Sequence, residues 1–414
     1  MLDRRKPIPV TDALDRVLQV AAPGEIEQVS LDMSLNRTLG DDIVATHDVP
    51  LFDRSPYDGF AIIAKDTEGA SREIPTKLQV VGHIGAGSLY SKTLQHGQAV
   101  RIMTGAQLPA GSDAIVMLEL VKESEENGDS FIHLNREFKS GTNISYQGED
   151  TKKGTPLLKK GEQITPGTMA ILATFGYQKV PVTRQPKVGI LATGSELVEV
   201  HEPLQAGKIR NSNAYMLMGQ VKSSGAIPLY LGQLEDDLEQ CFKKVKESLE
   251  QVDILITTGG VSVGDYDHMP EIYNKLGARV LFNKVAMRPG SVTTVAEYED
   301  KLLFGLSGNP SACFVGFELF TKPAIHTFLQ KNEITSDQTP AILGNDFPKP
   351  NPFNRYIRAE CFLENGQWIA TPLGLDKSSA VISLARTNCL IELPGGTRGF
   401  QKGDSIQIIR LQNS

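Results

Sequence analysis

Apolar positions along this chain change their spacing three times. Near the start, TDALDRVLQVA sets Leu14, Val17, Leu18 and Ala21 on one stripe at helical spacing, with Thr11 as N-cap candidate. Residues 1 to about 45 are therefore expected to be helical. From about 46 to 180 the apolar runs are short: YDGFAII, KLQVVGHI, AVRIM, DAIVML, FIHL. Gly, Pro, Asn and Asp separate them, which predicts strands joined by turns. At PKVGILATGSEL the pattern switches again. KVGILAT, IPLYLGQ, VDILITTGG, RVLFNKV and LLFGLSG alternate with longer amphipathic stretches such as DLEQCFKKVKESLE. Such a βαβ series over 185–330 predicts a parallel α/β sheet with helices on both faces. After a polar stretch, RYIRAECFL, QWIATPL, LIELP and DSIQIIR predict a small C-terminal β domain. The fold class is multidomain, α/β plus β.

A length of 414 residues exceeds one ordinary domain. With 40% hydrophobic and 22% charged residues, the chain reads as soluble and globular. The 42 basic and 49 acidic residues give a net charge of -7, which argues against a nucleic-acid-binding surface but leaves room for local anion sites. No apolar run approaches the roughly 18 residues of a membrane span. MLDRRKPIPV lacks an apolar core, so no secretory signal is expected. Cys241, Cys313, Cys361 and Cys389 are widely spaced without a CxxC, and read as reduced core residues of a cytoplasmic protein.

Open parallel sheets bind ligands beyond the carboxyl ends of their strands. Three such ends carry distinctive residues. The first is Thr193-Gly194-Ser195-Glu196, where glycine permits a tight turn and the acid suits a metal or a hydroxyl. The second begins at Gly259-Gly260 and continues through Ser262, Gly264, Asp265 and Asp267, a combination suited to an anion nest beside Mg²⁺. The third, Ser307-Gly308-Asn309-Pro310, opens a helix whose first amides can face an oxyanion. Between the last two, Lys284 and Arg288 stand four apart at a strand end and can clamp a tetrahedral anion. Each of these also has an ordinary structural reading, as a capped turn or a pair of surface charges. Asp58, Thr104-Gly105 and Glu149-Asp150 read singly as turn residues. The seven histidines are scattered, and no P-loop, GxGxxG or HExxH pattern occurs.

Taken together and in order, six segments resemble the MoeA family, the molybdopterin molybdenumtransferases of molybdenum cofactor biosynthesis. They are Ser55-Pro56-Tyr57-Asp58-Gly59-Phe60-Ala61, Arg101-Ile102-Met103-Thr104-Gly105, Gly148-Glu149-Asp150, Ala192 to Leu197, Gly259 to Asp267, and Ser307 to Pro310. The resemblance covers nearly the whole chain. It implies an elongated discontinuous part (1–50 and 140–182), an inserted β-rich part (51–139), a MogA-like α/β domain binding molybdopterin (183–330) and a C-terminal β-barrel (338–414). It further implies a homodimer with its active site between subunits, and a MogA-type adenylyltransferase or another cofactor-pathway protein as partner. No nucleic acid and no membrane is implied.

The implied reaction takes adenylated molybdopterin and molybdate, releases AMP and inserts molybdenum with the help of Mg²⁺. Carried over by position, Asp58, Thr104, Asp150, Glu196, Asp236, Asp267, Lys284 and Arg288 serve the reaction, with Glu196, Asp236 and Asp267 as metal ligands. Thr193, Gly194, Ser195, Gly259, Gly260, Ser262, Gly264, Ser307, Gly308, Asn309 and Pro310 bind substrate, joined by Arg355, Arg358 and Ser378 in the C-terminal domain. Many family members read Lys-Pro-Gly-Lys-Pro where this chain has Arg288-Pro289-Gly290-Ser291-Val292, so one charge is kept and one lost. Likewise Ser307-Gly308-Asn309-Pro310 replaces the common Pro-Gly-Asn-Pro. Two other functions are weighed against this one. A scaffold on the same fold, as in gephyrin, would not need the acidic loop residues. A general hydrolase of adenylated small molecules, as in CinA-like proteins, would lack the Pro-Tyr-Asp-Gly and Arg-Ile-Met-Thr-Gly segments.

Overall fold

The computed structural model describes residues 6–234, 237–260 and 268–411, and they form two compact units. One contains residues 42–159 and 173–176, the other residues 1–41, 160–172 and 177–414.

The smaller unit is built around a six-stranded sheet. Its strands Gly59–Ile62 and Ala114–Met117 are largely buried, as their unbroken apolar runs require, and between them in sequence Gln98–Ile102 buries Ala99, Val100 and Ile102. Gly59 lies against its neighbour's backbone: a Cβ there would sit 2.1 Å from the Val116 carbonyl oxygen. Among the described residues of the segment expected to be helical over 1–45, the α-helix is confined to Val10–Val20, followed by short strands at Ile26–Ser30 and Ile43–Val44 and a single 3-10 turn at Leu31–Met33. Thr11 is not the N-cap. Pro9 holds that position, its carbonyl accepting from the Ala13 amide at 3.0 Å, and Thr11 lies exposed within the first turn. Proline fixes the entry conformation without a side-chain cap.

The larger unit holds the α/β sheet. Its strands are β1 (Lys187–Thr193), β2 (Ile227–Leu234), β3 (Ile254–Thr258) and β4 (Arg279–Phe282). Past the short strand β5 (Met287–Arg288) come β6 (Thr294–Tyr298) and β7 (Lys301–Leu306). The order across the sheet is β2-β1-β3-β7-β6-β4. The first four are parallel, whereas β6 pairs antiparallel with both β7 and β4. The expected parallel sheet thus ends in an antiparallel edge. The Glu299-Asp300 turn, with Glu299 at φ 53°, folds β6 directly onto β7.

Helices cover both faces. Ala214, Leu217 and Val221 pack with Val188, Ile190, Ile254, Ile256 and Phe304 on one side. Cys241, Val245, Ile272 and Tyr273 pack with Leu191, Leu255 and Leu303 on the other. Alternate residues of each central strand feed opposite cores, which is why these strands read as continuous apolar runs. All four cysteines are buried.

The C-terminal strands are β8 (Gln338–Leu343), β9 (Asn354–Glu364), β10 (Gln367–Pro372), β11 (Cys389–Leu393) and β12 (Ser405–Arg410). Their pairings run β9-β10-β8-β12-β11, and β11 pairs back to β9, closing a five-stranded barrel. Strand β5 adds to β9 in parallel. The polypeptide of the α/β domain therefore contributes a strand to the barrel's sheet.

Candidate active site

Parallel register sets the ends of β1, β3 and β7 side by side. Ala192 pairs with Thr258, and Thr258 with Leu306. The next residues, Thr193, Gly259 and Ser307, thus begin three adjacent loops. The Gly259 amide donates to the Leu306 carbonyl at 3.0 Å, and Thr193 Oγ1 donates to the Thr258 carbonyl at 3.3 Å. Gly259 has φ 93°, and a Cβ there would lie 2.5 Å from Thr193 Oγ1 and 2.7 Å from its carbonyl oxygen. Only glycine fits this close approach of two loops. Gly260 follows at φ 64°. At Gly308 a Cβ would stand 3.5 Å from the Gly259 Cα, so the second and third loops also touch.

Asn213 ties these loops together, although nothing in its sequence context singled it out. Its side-chain amide donates to Thr258 Oγ1 at 2.9 Å and to the Gly308 carbonyl at 2.8 Å, while Oδ1 is buried without a protein partner. The only local signal was the helix start just before it: the Asn211 side chain accepts from the Ala214 amide as an N-cap.

The helix after Pro310 starts as expected, with Asn309 as N-cap and proline in the first turn. Its first amides are not all open to a ligand, however. Ser311 N–H donates to the Ser378 carbonyl at 2.9 Å, and Ser311 Oγ donates to the Ala380 carbonyl at 2.6 Å. The expected oxyanion role of this helix start is to that extent taken by the chain itself.

Glu196 is exposed, as is Ser195. The Glu196 carboxylate folds over Gly194, where a Cβ would meet it at 2.4 Å. Asp236, Ser262, Gly264 and Asp267 lie outside the described residues. Among the described residues, no three His, Cys, Asp or Glu side chains gather to hold a metal ion.

Of the two cations of the sequence reading, Arg288 lines a cavity and Lys284 is not among its lining residues. Arg288 does not sit at the end of an α/β strand; it lies in β5 and pairs with Arg355 of β9. Both line a cavity of about 300 Å³, with Arg358, Lys377 and Ser378 and with the Pro289-Gly290-Ser291 turn. Lys284 is not among the residues lining it; its carbonyl accepts from the Ile8 amide at 3.2 Å. Four cationic residues line the cavity with one acidic residue, Asp376, which accepts from Arg355 Nη1 at 2.5 Å and Lys349 Nζ at 2.9 Å. Asp376 and Lys377 carried no motif and were not singled out from the sequence. The cavity suits an oxyanion, since guanidinium forks match tetrahedral oxygens.

In the smaller unit, Asp58 and Thr104 meet. The Thr104 amide and hydroxyl both donate to Asp58 Oδ1, at 2.7 and 2.8 Å. These two hydrogen bonds, with the charge of Arg101 beyond them, hold the Asp58 carboxyl below the usual carboxylate range. Asp150 is exposed, its amide bonded to the Val49 carbonyl. Its neighbour Glu149 is committed to the turn, accepting from Ser145 Oγ and from the Tyr146 amide.

Three family models cover most of the chain: the MoeA N-terminal region (domain I and II) over 8–176, a probable molybdopterin binding domain over 189–327, and the MoeA C-terminal region (domain IV) over 340–411. The chain belongs to the MoeA family. A curated molybdopterin molybdenumtransferase of Bacillus subtilis is 58% identical over 412 residues, covering 100% of this chain and 96% of that one. One from Staphylococcus aureus strain COL is 50% identical over 414 residues, covering 100% and 98%. A crystal structure of a molybdopterin biosynthesis moeA protein from Pyrococcus horikoshii OT3 superposes with a TM-score of 0.81 at 32% identity, covering 98% of this chain and 100% of that one. The two chains thus share one fold over nearly their whole length.

Proposed function

We propose that this chain is a molybdopterin molybdenumtransferase, a molybdenum insertase of molybdenum cofactor biosynthesis. The observation that carries the reading is the full-length match, 58% identity over 412 residues, to a protein of that name. The geometry agrees with it. Adjacent glycine loops after β1, β3 and β7 offer backbone amides to the phosphates of adenylated molybdopterin. The arginine-lined cavity offers a seat for molybdate, a tetrahedral dianion. Hydrolysis of the phosphoanhydride by water, giving the pterin phosphate and AMP, then accompanies binding of molybdenum by the two dithiolene sulfurs, whose protons leave with one oxo group of molybdate as water.

In this scheme Gly259, Gly260 and Gly308 let the chain approach the phosphates, and Thr193 and Asn213 hold the loops in register. Arg288 and Arg355 attract and orient the oxyanion. Asp58 is kept ionised by Thr104 and serves as a fixed negative charge. Glu196, with Asp236 and Asp267 from outside the described residues, would hold Mg²⁺, which when bound would neutralise charge on the anhydride. The same reading includes a homodimer, a MogA-type partner, a cytoplasmic location and the four-part domain division. Its elongated part, 1–50 with 140–182, is shared between the two compact units. Among the described residues no helix is long and apolar enough to cross a membrane.

Reconstitution tests this function. The purified chain, adenylated molybdopterin, molybdate and Mg²⁺ are incubated with a molybdenum-free molybdoenzyme. Activity in that acceptor which depends on all four components supports the insertase. Acceptor activation that is unchanged when this chain is left out contradicts it.

A further inference from the structure

Three residues of the oxyanion cavity, Asp376, Lys377 and Ser378, lie on one loop, 374–383. Its ends meet: a Cβ at Gly374 would stand 3.1 Å from Ser383 Cβ. It is thus a compact closed loop on the barrel. A single side chain occupies much of its polar backbone. Arg358, 5% exposed, donates from Nη1 to the Ala380 carbonyl at 3.0 Å and to Ser383 Oγ at 2.5 Å. From Nη2 it donates to the Leu375 carbonyl at 2.7 Å and to the Lys377 carbonyl at 3.4 Å. All four acceptors belong to this loop. The terminal N–H groups that would grip an oxyanion are already engaged.

The loop is also tied by other residues. Asp376 is held by Arg355 and Lys349, and the Ser378 and Ala380 carbonyls are held by Ser311. A buried arginine with partners scattered over several strands would simply stabilise the barrel. Here every side-chain partner lies within nine residues that also carry the cavity's Lys377 and Ser378.

We infer that Arg358 is a positioning residue: it fixes the 374–383 loop so that Lys377 and Ser378 face the cavity lined by Arg288 and Arg355, and does not itself contact the oxyanion. This rests on the proposed oxyanion role of the cavity. A polar loop left without its central donor loses four hydrogen bonds at once and gains conformational freedom. The cost falls on whichever ligand must re-order it.

The test uses the full chain and two readouts: amide hydrogen exchange of the 374–383 loop, and calorimetric binding of molybdate alone. Arg358→Gln is expected to speed exchange in that loop and to weaken molybdate binding by about tenfold, with Arg358→Lys between it and wild type. Arg288→Ala is expected to weaken binding with loop exchange unchanged. Weakened binding with wild-type exchange in Arg358→Gln overturns the inference, because the guanidinium would then act on the anion directly. Faster exchange with undiminished affinity overturns it too, since the loop would not serve the cavity. If the wild type binds no molybdate, the oxyanion reading of the cavity fails; the exchange data, which need no ligand, show separately whether Arg358 holds the loop.

Discussion

Arg288 and Arg355 stand opposite each other in the parallel pairing of β5 with β9. Backbone hydrogen bonding thereby sets two like charges at the mouth of one cavity, an arrangement that favours an anion between them. Their surroundings differ. Arg288 is exposed, whereas Arg355 is 7% exposed and paired with Asp376. Arg288→Ala should therefore weaken molybdate binding by about tenfold and leave the thermal midpoint unchanged. Arg355→Ala should weaken binding and also cost about 1–3 kcal/mol, because Asp376 loses a buried donor. Calorimetry and urea denaturation of both variants separate the two effects.

Gly259 is the position where the strand-end loops tolerate least. Gly259→Ala combines a positive φ with a Cβ 2.5 Å from Thr193 Oγ1, and is expected to cost about 2–4 kcal/mol and abolish turnover. Gly128→Ala is the control. It has φ 88° but open space around its Cβ, so about 1 kcal/mol is expected, with turnover kept. Equal costs for both variants, measured by denaturation, would show that the loop contact is unimportant.

Asp58 should titrate below the usual carboxylate range, because Thr104 donates to it twice. A folded-state value that is depressed means a stabilisation present above the unfolded value and lost as pH falls through the folded one. Thr104→Ala removes the hydroxyl but keeps the amide, so the Asp58 midpoint should rise part of the way. Carboxyl-resolved NMR titration of both proteins measures the shift; an unmoved midpoint would leave the amide as the sole cause.

Arg184 and Asp253 form a two-pronged ion pair at 2.9 and 2.8 Å, and Asp253 also accepts from the Lys187 amide at the start of β1. Burial pushes the Asp253 carboxyl up. The Arg184 and Lys187 hydrogen bonds and the charges of Arg184 and Lys301 outweigh it and hold the carboxyl low. Asp253→Asn should cost about 1–2 kcal/mol at neutral pH. The gap to wild type should begin to close as pH falls below about 4, where the unfolded carboxylate takes up its proton, and finish closing as pH passes the lower folded value. Urea denaturation across that range checks the sign.

Much of this fold could be read from spacing alone. Continuous apolar runs marked β1, β3 and β7 because both faces of each are buried. The glycine-rich ends of the same strands marked the loops, since close approach leaves a compositional trace at Gly259 and Gly194. What spacing did not reveal depends on contacts distant in sequence. Strand β5 is two residues long and exists only because β9 pairs with it. Asp376 and Arg358 acquire their roles through a loop that carries no motif. The helix at Val10–Val20 was legible as a stripe, but its start was set by Pro9, and the strands after it were too short for a periodic signal.

The most direct measurement of the central claim is AMP release from adenylated molybdopterin by the purified chain with Mg²⁺, with and without molybdate. The account predicts release that depends on molybdate and that falls in Arg288→Ala at low molybdate. AMP release indifferent to molybdate, with no cofactor formed, would contradict it and point to a general hydrolase on the same α/β domain.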